Sequence, residues 1–164
     1  MDVVEIMCYY NKKEKEMKIT YKSDYALKTL LHLSMKYKGN SEVIKIHALS
    51  NKLDIPVKYL EAVLIILKNG GFVKSKRGKD GGYHLAMSPS KITLGKVIRF
   101  LEGPLEPIAC LNEGYKDCGD LETCVIRTVF HRIAKAEADI VDNITFENMA
   151  DDMSKNKKNP DYCI

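Results

Sequence analysis

The sequence predicts a mainly α fold with a small β-wing: a winged helix-turn-helix domain followed by one long C-terminal helix. Three observations carry this expectation. Two short amphipathic segments, at about 47–52 and after Pro56, are separated by a three-residue break. A glycine-rich turn, Gly78-Lys79-Asp80-Gly81-Gly82, joins two short stretches of alternating character. Apolar residues then recur at three- and four-residue steps from about Cys124 to Val141, the period of a helix face.

Taken in order, Tyr25, Ala26, Leu27, Leu30, Leu31, Leu33 and Ser34 give the first helix its apolar face, with Gly39 expected just past its end. A short helix follows, with Ala48 and Leu49 expected inward. Asp54-Ile55-Pro56 breaks it and puts Pro56 at the first turn of the next helix, where a missing N–H costs least. Leu60, Val63, Leu64 and Leu67 form that helix's inner face, and Gly70-Gly71 stop it. Two helices joined by so tight a turn are a helix-turn-helix unit. Phe72–Arg77 and Tyr83–Ala86 then read as the strands of a wing. Thr93 is the expected N-cap of a helix from Leu94 to Glu102, ended by Gly103-Pro104. Residues 105–123 lack periodicity and read as a loop. The long helix carries Val125, Val129, Ile133, Ala136 and Ile140, and Thr145 caps a last short helix running through Met153. The expected organisation is therefore an N-terminal extension without function at 1–16, a winged helix-turn-helix domain at 17–103 and a cysteine-bearing loop at 104–123. The long and short terminal helices at 124–153 and a polar tail at 154–164 complete it.

Composition narrows the function classes. Of 164 residues, 45% are hydrophobic and 29% charged, enough for a packed core and against global disorder. No apolar run approaches the ~18 residues a membrane span needs, and residues 1–8 lack the basic start of a secretory signal. A cytoplasmic location is expected, and in a reducing compartment five cysteines read as metal ligands or redox thiols rather than disulfides. No nucleophile–base pair, phosphate loop or paired carboxylates of a recognisable pattern is present, so an enzyme is not expected.

The net charge of +4 says less than where the positive charges lie. Lys58 starts the second helix of the pair, with Tyr59 and Glu61 beside it, and Lys74, Lys76, Arg77 and Lys79 decorate the hairpin. A recognition helix enters the major groove by its N-terminal residues, and a basic wing reaches phosphates or the minor groove. Gly78 allows the close turn such a wing tip needs. Glu61 is suited to accept from cytosine N4, whereas Tyr59 fits either a DNA contact or the core.

Cys110, Cys118 and Cys124 stand in a C-x7-C-x5-C pattern with Gly114, Asp117, Gly119 and Asp120 among them. Three thiols from a loop and a helix start suit a soft metal. Spacing does not separate zinc from iron–sulfur, and unligated redox thiols are a third option.

The segments Met17 to Leu27, Tyr59-Leu60-Glu61, Lys74 to Leu85 and Leu101-Glu102-Gly103-Pro104, with the cysteine loop before a long helix, resemble the IscR/NsrR/CymR (Rrf-type) family of winged-helix transcriptional regulators. The resemblance covers nearly everything from Met17 to Asp152. It implies a homodimer built on the C-terminal helix, here a dimerisation helix, bound as a repressor to a pseudo-palindromic operator in double-stranded DNA. It places Arg77 in the minor groove and Lys58 and Glu61 near base edges; Pro56 stands where many relatives carry Ser. In the cluster-binding branch it implies that Cys110, Cys118 and Cys124 hold an iron–sulfur cluster, 2Fe–2S or 4Fe–4S. One branch takes its fourth ligand from a His three residues after the third cysteine, and Arg127 stands there. The nitric-oxide-sensing branch uses an Asp of the partner's first helix, and Asp24 holds that position. The plainer reading of Asp24 is a helix-start residue favoured by the macrodipole. His131 is a weaker candidate, and Cys8 and Cys163 are expected to have no role. A cluster-free or zinc-containing regulator, answering through thiol oxidation or a protein partner, is the alternative.

Overall fold

The computed structural model describes residues 19–156, apart from 38, 40 and 41. Among the described residues, six α-helices and one two-stranded antiparallel sheet make a mainly α architecture with a small wing. Helix α1 spans Tyr21–Met35, its N-terminus capped by Thr20, whose side chain accepts from Ser23 N. It ends earlier than Gly39: Lys36 N and Tyr37 N bond to Leu33 O and Ser34 O, and Gly39 takes its positive φ of 78° three residues beyond that cap. The expectation of Gly39 as the closing residue is thus displaced by a tightened last turn.

Helices α2 (Ile46–Leu53) and α3 (Val57–Asn69) flank a turn of three residues. Asp54 adopts the left-handed region at φ 53°. Ser50 closes the turn from both sides, its carbonyl accepting from Ile55 N at 3.2 Å and its hydroxyl donating to Ile55 O at 2.7 Å. Leu49 is the one buried residue of α2, Ile46 and Leu53 pack half-buried against the core, and Ala48 is exposed, against expectation. Ile46, Leu49 and Leu53, at three- and four-residue steps, form the inner face of this helix, and Ala48 falls outside it. Pro56 is the N-cap of α3, one residue before its first helical position, and Leu60, Val63, Leu64 and Leu67 are all buried.

Strands β1 (Val73–Lys76) and β2 (Gly82–Leu85) pair Val73 with Leu85 and Lys76 with Gly82. A further bridge joins Ile44 to Tyr83, with Ile44 N donating to Tyr83 O at 2.9 Å and the reverse bond at 2.8 Å. A side chain at Gly82 would collide with the Ile44 carbonyl, so glycine here lets a third segment approach the wing. Helix α4 (Leu94–Glu102) starts at Thr93, whose hydroxyl accepts from Lys96 N, and stops at Gly103, φ 92°.

Helices α5 (Val125–Asn143) and α6 (Phe146–Asn156) finish the chain. The last helix passes Met153, so residues 154–156 are helical rather than tail. Thr145 caps it as expected, its hydroxyl accepting from Asn148 N at 3.1 Å. Helix α6 folds back onto α1, and Phe146 is fully buried in the same core as Leu30, Leu49, Leu60, Leu64 and Val97. The grouping of the final helix with the long helix, apart from 17–103, therefore does not describe its packing. Helix α5 is tied to α4 by Arg99, which donates to both Asp142 oxygens at 2.5 and 3.0 Å. That hydrogen-bonded pair raises the guanidinium's pKa and lowers the carboxyl's. No helix among the described residues is long and apolar enough to cross a membrane. Residues 1–16, with Cys8, and the tail from 157, with Cys163, lie outside the described residues.

Candidate nucleic-acid interface and cysteine loop

The DNA-facing residues expected from the sequence lie at the start of α3 and on the wing. Lys58, Tyr59 and Glu61 lie at the start of α3 and are all exposed. Tyr59 is 60% exposed, which removes it from the core; it lines a groove with Tyr21, Tyr25 and Ile66 between α1 and the outer face of α3. On the hairpin, Lys74, Lys76, Arg77, Gly78 and Lys79 are exposed without exception. Gly78 has φ 103°, and its carbonyl accepts from Gly81 N at 2.9 Å, closing the turn at the tip. A side chain at Gly81 would press on the Lys76 and Gly78 carbonyls. Apart from that tip turn, no ion pair among the described residues engages Lys58, Lys74, Lys76, Arg77 or Lys79, so their charge faces outward.

Asp24 lies in the first turn of α1, partly exposed, and pairs with Lys28 at 2.7 Å. That bond raises the Lys28 pKa. The start of α1 is fastened to the end of α4 by Glu102, a contact the sequence did not announce. Thr20 donates to Glu102 Oε1 from its hydroxyl at 2.6 Å and from its N–H at 3.2 Å, and the Ser23 hydroxyl donates to the same oxygen. These bonds, Ser23's foremost, hold the Glu102 carboxyl below its ordinary range. Lys22 adds a bond to Leu101 O at 3.2 Å.

Cys110, Cys118 and Cys124 are free thiols; Cys118 is exposed and the other two are half-buried. Cys110 sits in a short 3-10 turn, Ala109–Leu111, and Cys124 is the N-cap of α5, its sulfur accepting from Arg127 N at 3.4 Å. Among the described residues no three His, Cys, Asp or Glu side chains come close enough to hold a metal ion. The expected convergence of the three thiols is therefore absent within the chain, and Asp24, on α1, does not complete a metal-binding group with them. The donor types still suit a soft metal: three thiols, two of them at the mouth of one loop and the third on its open arc. His131 is exposed on α5 and lines a cavity with Arg99, Glu106 and Lys135 instead.

Nearly all of the described chain matches one family. The model of the Rrf2 family, described as iron-dependent transcriptional regulator, matches residues 19–152. The chain belongs to the Rrf2 family of transcriptional regulators. It is 36% identical over 134 residues to the HTH-type transcriptional regulator CymR of Bacillus subtilis, covering 82% of this chain and 90% of that one. It is 32% identical over 143 residues to protein rrf2 of Nitratidesulfovibrio vulgaris, covering 87% and 93%. The HTH-type transcriptional regulator NsrR of Bacillus licheniformis shares 29% over 133 residues, covering 81% and 92%. Among solved structures, CymR, the global cysteine regulator of B. subtilis, superposes with a TM-score of 0.68 at 32% identity, over 83% of this chain and 98% of that one. T. potens IscR superposes at 0.63 and 24% identity, over 90% and 93%, a likeness of fold. The winged helix-turn-helix reading and the family resemblance both stand.

Proposed function

We propose that this Rrf2-family regulator is a homodimeric, operator-binding repressor whose DNA affinity is set at the cysteine loop. The observation that carries the DNA half is the set of exposed cations on the wing, none in an ion pair among the described residues, together with the exposed start of α3. Lys74, Lys76 and Lys79 meet phosphates, Arg77 and Gly78 form the tip that enters the minor groove, and Lys58, Tyr59 and Glu61 read the major groove. Replacing Lys76 with Ala is expected to weaken operator and non-specific DNA alike and to make the log–log salt slope shallower by about one. Replacing Arg77 with Ala is expected to cost the operator more than other DNA. Salt titrations on a fragment selected from random duplexes check both; an unchanged slope in Lys76→Ala removes that contact.

The sensing half assigns Cys110, Cys118 and Cys124 as ligands of an iron–sulfur cluster, with Asp24 supplied across the dimer. Support comes from the three free thiols, from the iron dependence in the family's description, and from Asp24 standing part-exposed at the start of α1. Such a cluster, when bound, supplies a link that oxidants or nitric oxide break. The chain's own part is mechanical. Glu102 ties the Asp24 end of α1 to the helix that leads into the loop, so a shift of the loop reaches the DNA-binding helices without crossing the core. Anaerobic purification with an absorbance spectrum and iron and sulfide analysis tests the assignment. Brown protein whose iron is lost in Cys110→Ala, Cys118→Ala or Cys124→Ala is expected, with Asp24→Ala lowering both cluster retention and DNA response. Colourless protein after reconstitution favours the second reading, a regulator without a cluster. That reading draws on the ungathered thiols and on the likeness to a cysteine regulator.

A further inference from the structure

The cysteine loop leaves α4 at Gly103 and rejoins regular structure at Cys124. Its own backbone bonds are short-range: Leu111 N donates to Ile108 O, Asn112 N to Ala109 O, Tyr115 N to Asn112 O and Thr123 N to Asp120 O. Each closes a turn of four residues, and turns of that size do not set the distance between the loop's two ends. Arg127, on the first turn of α5, instead bridges the turn at Cys110 and the stretch that closes the loop. Its Nε donates to Cys110 O at 3.0 Å and its Nη1 to Leu121 O at 3.4 Å. Its backbone N–H meanwhile donates to Cys124 Sγ at 3.4 Å. One residue thus touches the backbone of the first cysteine, the closing stretch of the loop and the sulfur of the third cysteine.

The guanidinium is suited to this because its donors sit in a rigid planar fork and are always charged. Both side-chain partners are neutral carbonyls, and no described carboxylate pairs with Arg127. Its positive charge is therefore left beside Cys110 and Cys124, where thiolates or an anionic sulfur centre would form. Arg127 also occupies the position at which the family resemblance implies a histidine ligand in one branch. A guanidinium cannot ligate, and the geometry gives it a different task.

We propose that Arg127 is the positioning residue of the cysteine site. It clips the Cys110 turn and the closing stretch at Leu121 to the start of α5, holds Cys110 near Cys124 before any metal arrives, and leaves Cys118 on the free arc to close over them. The proposal rests on the cysteine-loop reading above and deepens it by naming what preorganises the ligands. It also accounts for two half-buried thiols and one exposed thiol on a single loop.

The test uses the full chain, freed of metal and reduced, with Cys8→Ser and Cys163→Ser so that only the loop thiols react. Phenylarsine oxide bridges two neighbouring thiols: two As–S bonds form, the As–oxo bond breaks, and both thiol protons leave with the oxygen as water, with no net redox change. The parent is expected to be captured through Cys110 and Cys124, and Cys118→Ala to leave that capture intact. Arg127→Ala and Arg127→Gln are each expected to weaken it about tenfold or more while circular dichroism stays unchanged. Arg127→Lys, which keeps charge without the fork, is expected to restore less than half. Capture as tight in Arg127→Gln as in the parent, full rescue by Lys, or no capture in the parent would each overturn the proposal. Because no iron is present, normal capture in a chain that never binds iron would sink the cluster reading alone. Lost capture in Arg127→Ala with iron retained would confirm the clip and show the cluster able to form without it.

Discussion

Replacing Ile133 with Glu is expected to leave a folded monomer that no longer holds its operator. Helix α5 is 19 residues long and none of its residues is buried. Val125, Val129, Ile133 and Ile140 are 75%, 48%, 48% and 60% exposed, spaced four, four and seven residues apart. A helix of that length presents roughly 28 Å of edge, and an apolar stripe along it gains most by meeting its own copy. A dimer related by two-fold symmetry would carry the Glu twice. Two apolar side chains, each contributing about 1.5–3 kcal/mol when buried, would then be exchanged for two desolvated like charges. A loss of about 3 kcal/mol or more corresponds to at least ~100-fold in association. Operator affinity should fall in step, because a two-fold protein reads two half-sites about one helical turn apart. Light scattering and far-ultraviolet circular dichroism would show half the mass with the helix content kept. A variant that stays dimeric and binds the operator normally would place the dimer surface elsewhere.

Truncating Phe146 to Ala is the largest expected stability change. Phe146 is the bulkiest of the fully buried side chains, and its N–H donates to Ile92 O at 2.9 Å. It carries α6 into the core beneath α1 and α4, and the Arg99–Asp142 pair fixes α5 just before it. Removing a buried phenyl ring costs about 3–5 kcal/mol, which for a chain of this size lowers Tm by roughly 6–20 °C. Calorimetry would check it, with Phe146→Leu expected to lose clearly less. The functional echo is as telling as the melting point. Loosening α6 releases the long helix from the DNA-binding domain, so operator affinity should fall before the domain itself unfolds. A Phe146→Ala protein with an unchanged Tm would show that α6 contributes little to the core.

The elements near the DNA interface were legible in the sequence because their signals are local. The three- and four-residue steps of Leu60, Val63, Leu64 and Leu67, the Thr93 and Thr145 caps and the glycines of the wing each act within a turn or two of the backbone. Positions whose fate depends on distant partners were read less well. Ala48 faces solvent because Ile46, Leu49 and Leu53 set the inner face of its short helix, and Gly39 falls beyond a helix that closes on its own carbonyls. Tyr59 fitted either the core or the surface until the packing of α1 against α3 left it on the rim of a groove.

By itself the sequence determined the helix order, the wing, the basic face and the three-cysteine loop, because periodicity, capping and residue chemistry are properties of short stretches of chain. Tertiary structure alone decided that the last helix returns to the DNA-binding core and that Glu102 latches the start of α1. It also turned Arg127 from an absent ligand into a clip across the cysteine loop. Those contacts join residues 17, 82 or more than a hundred positions apart, and only the folded chain brings such partners within hydrogen-bonding or packing distance.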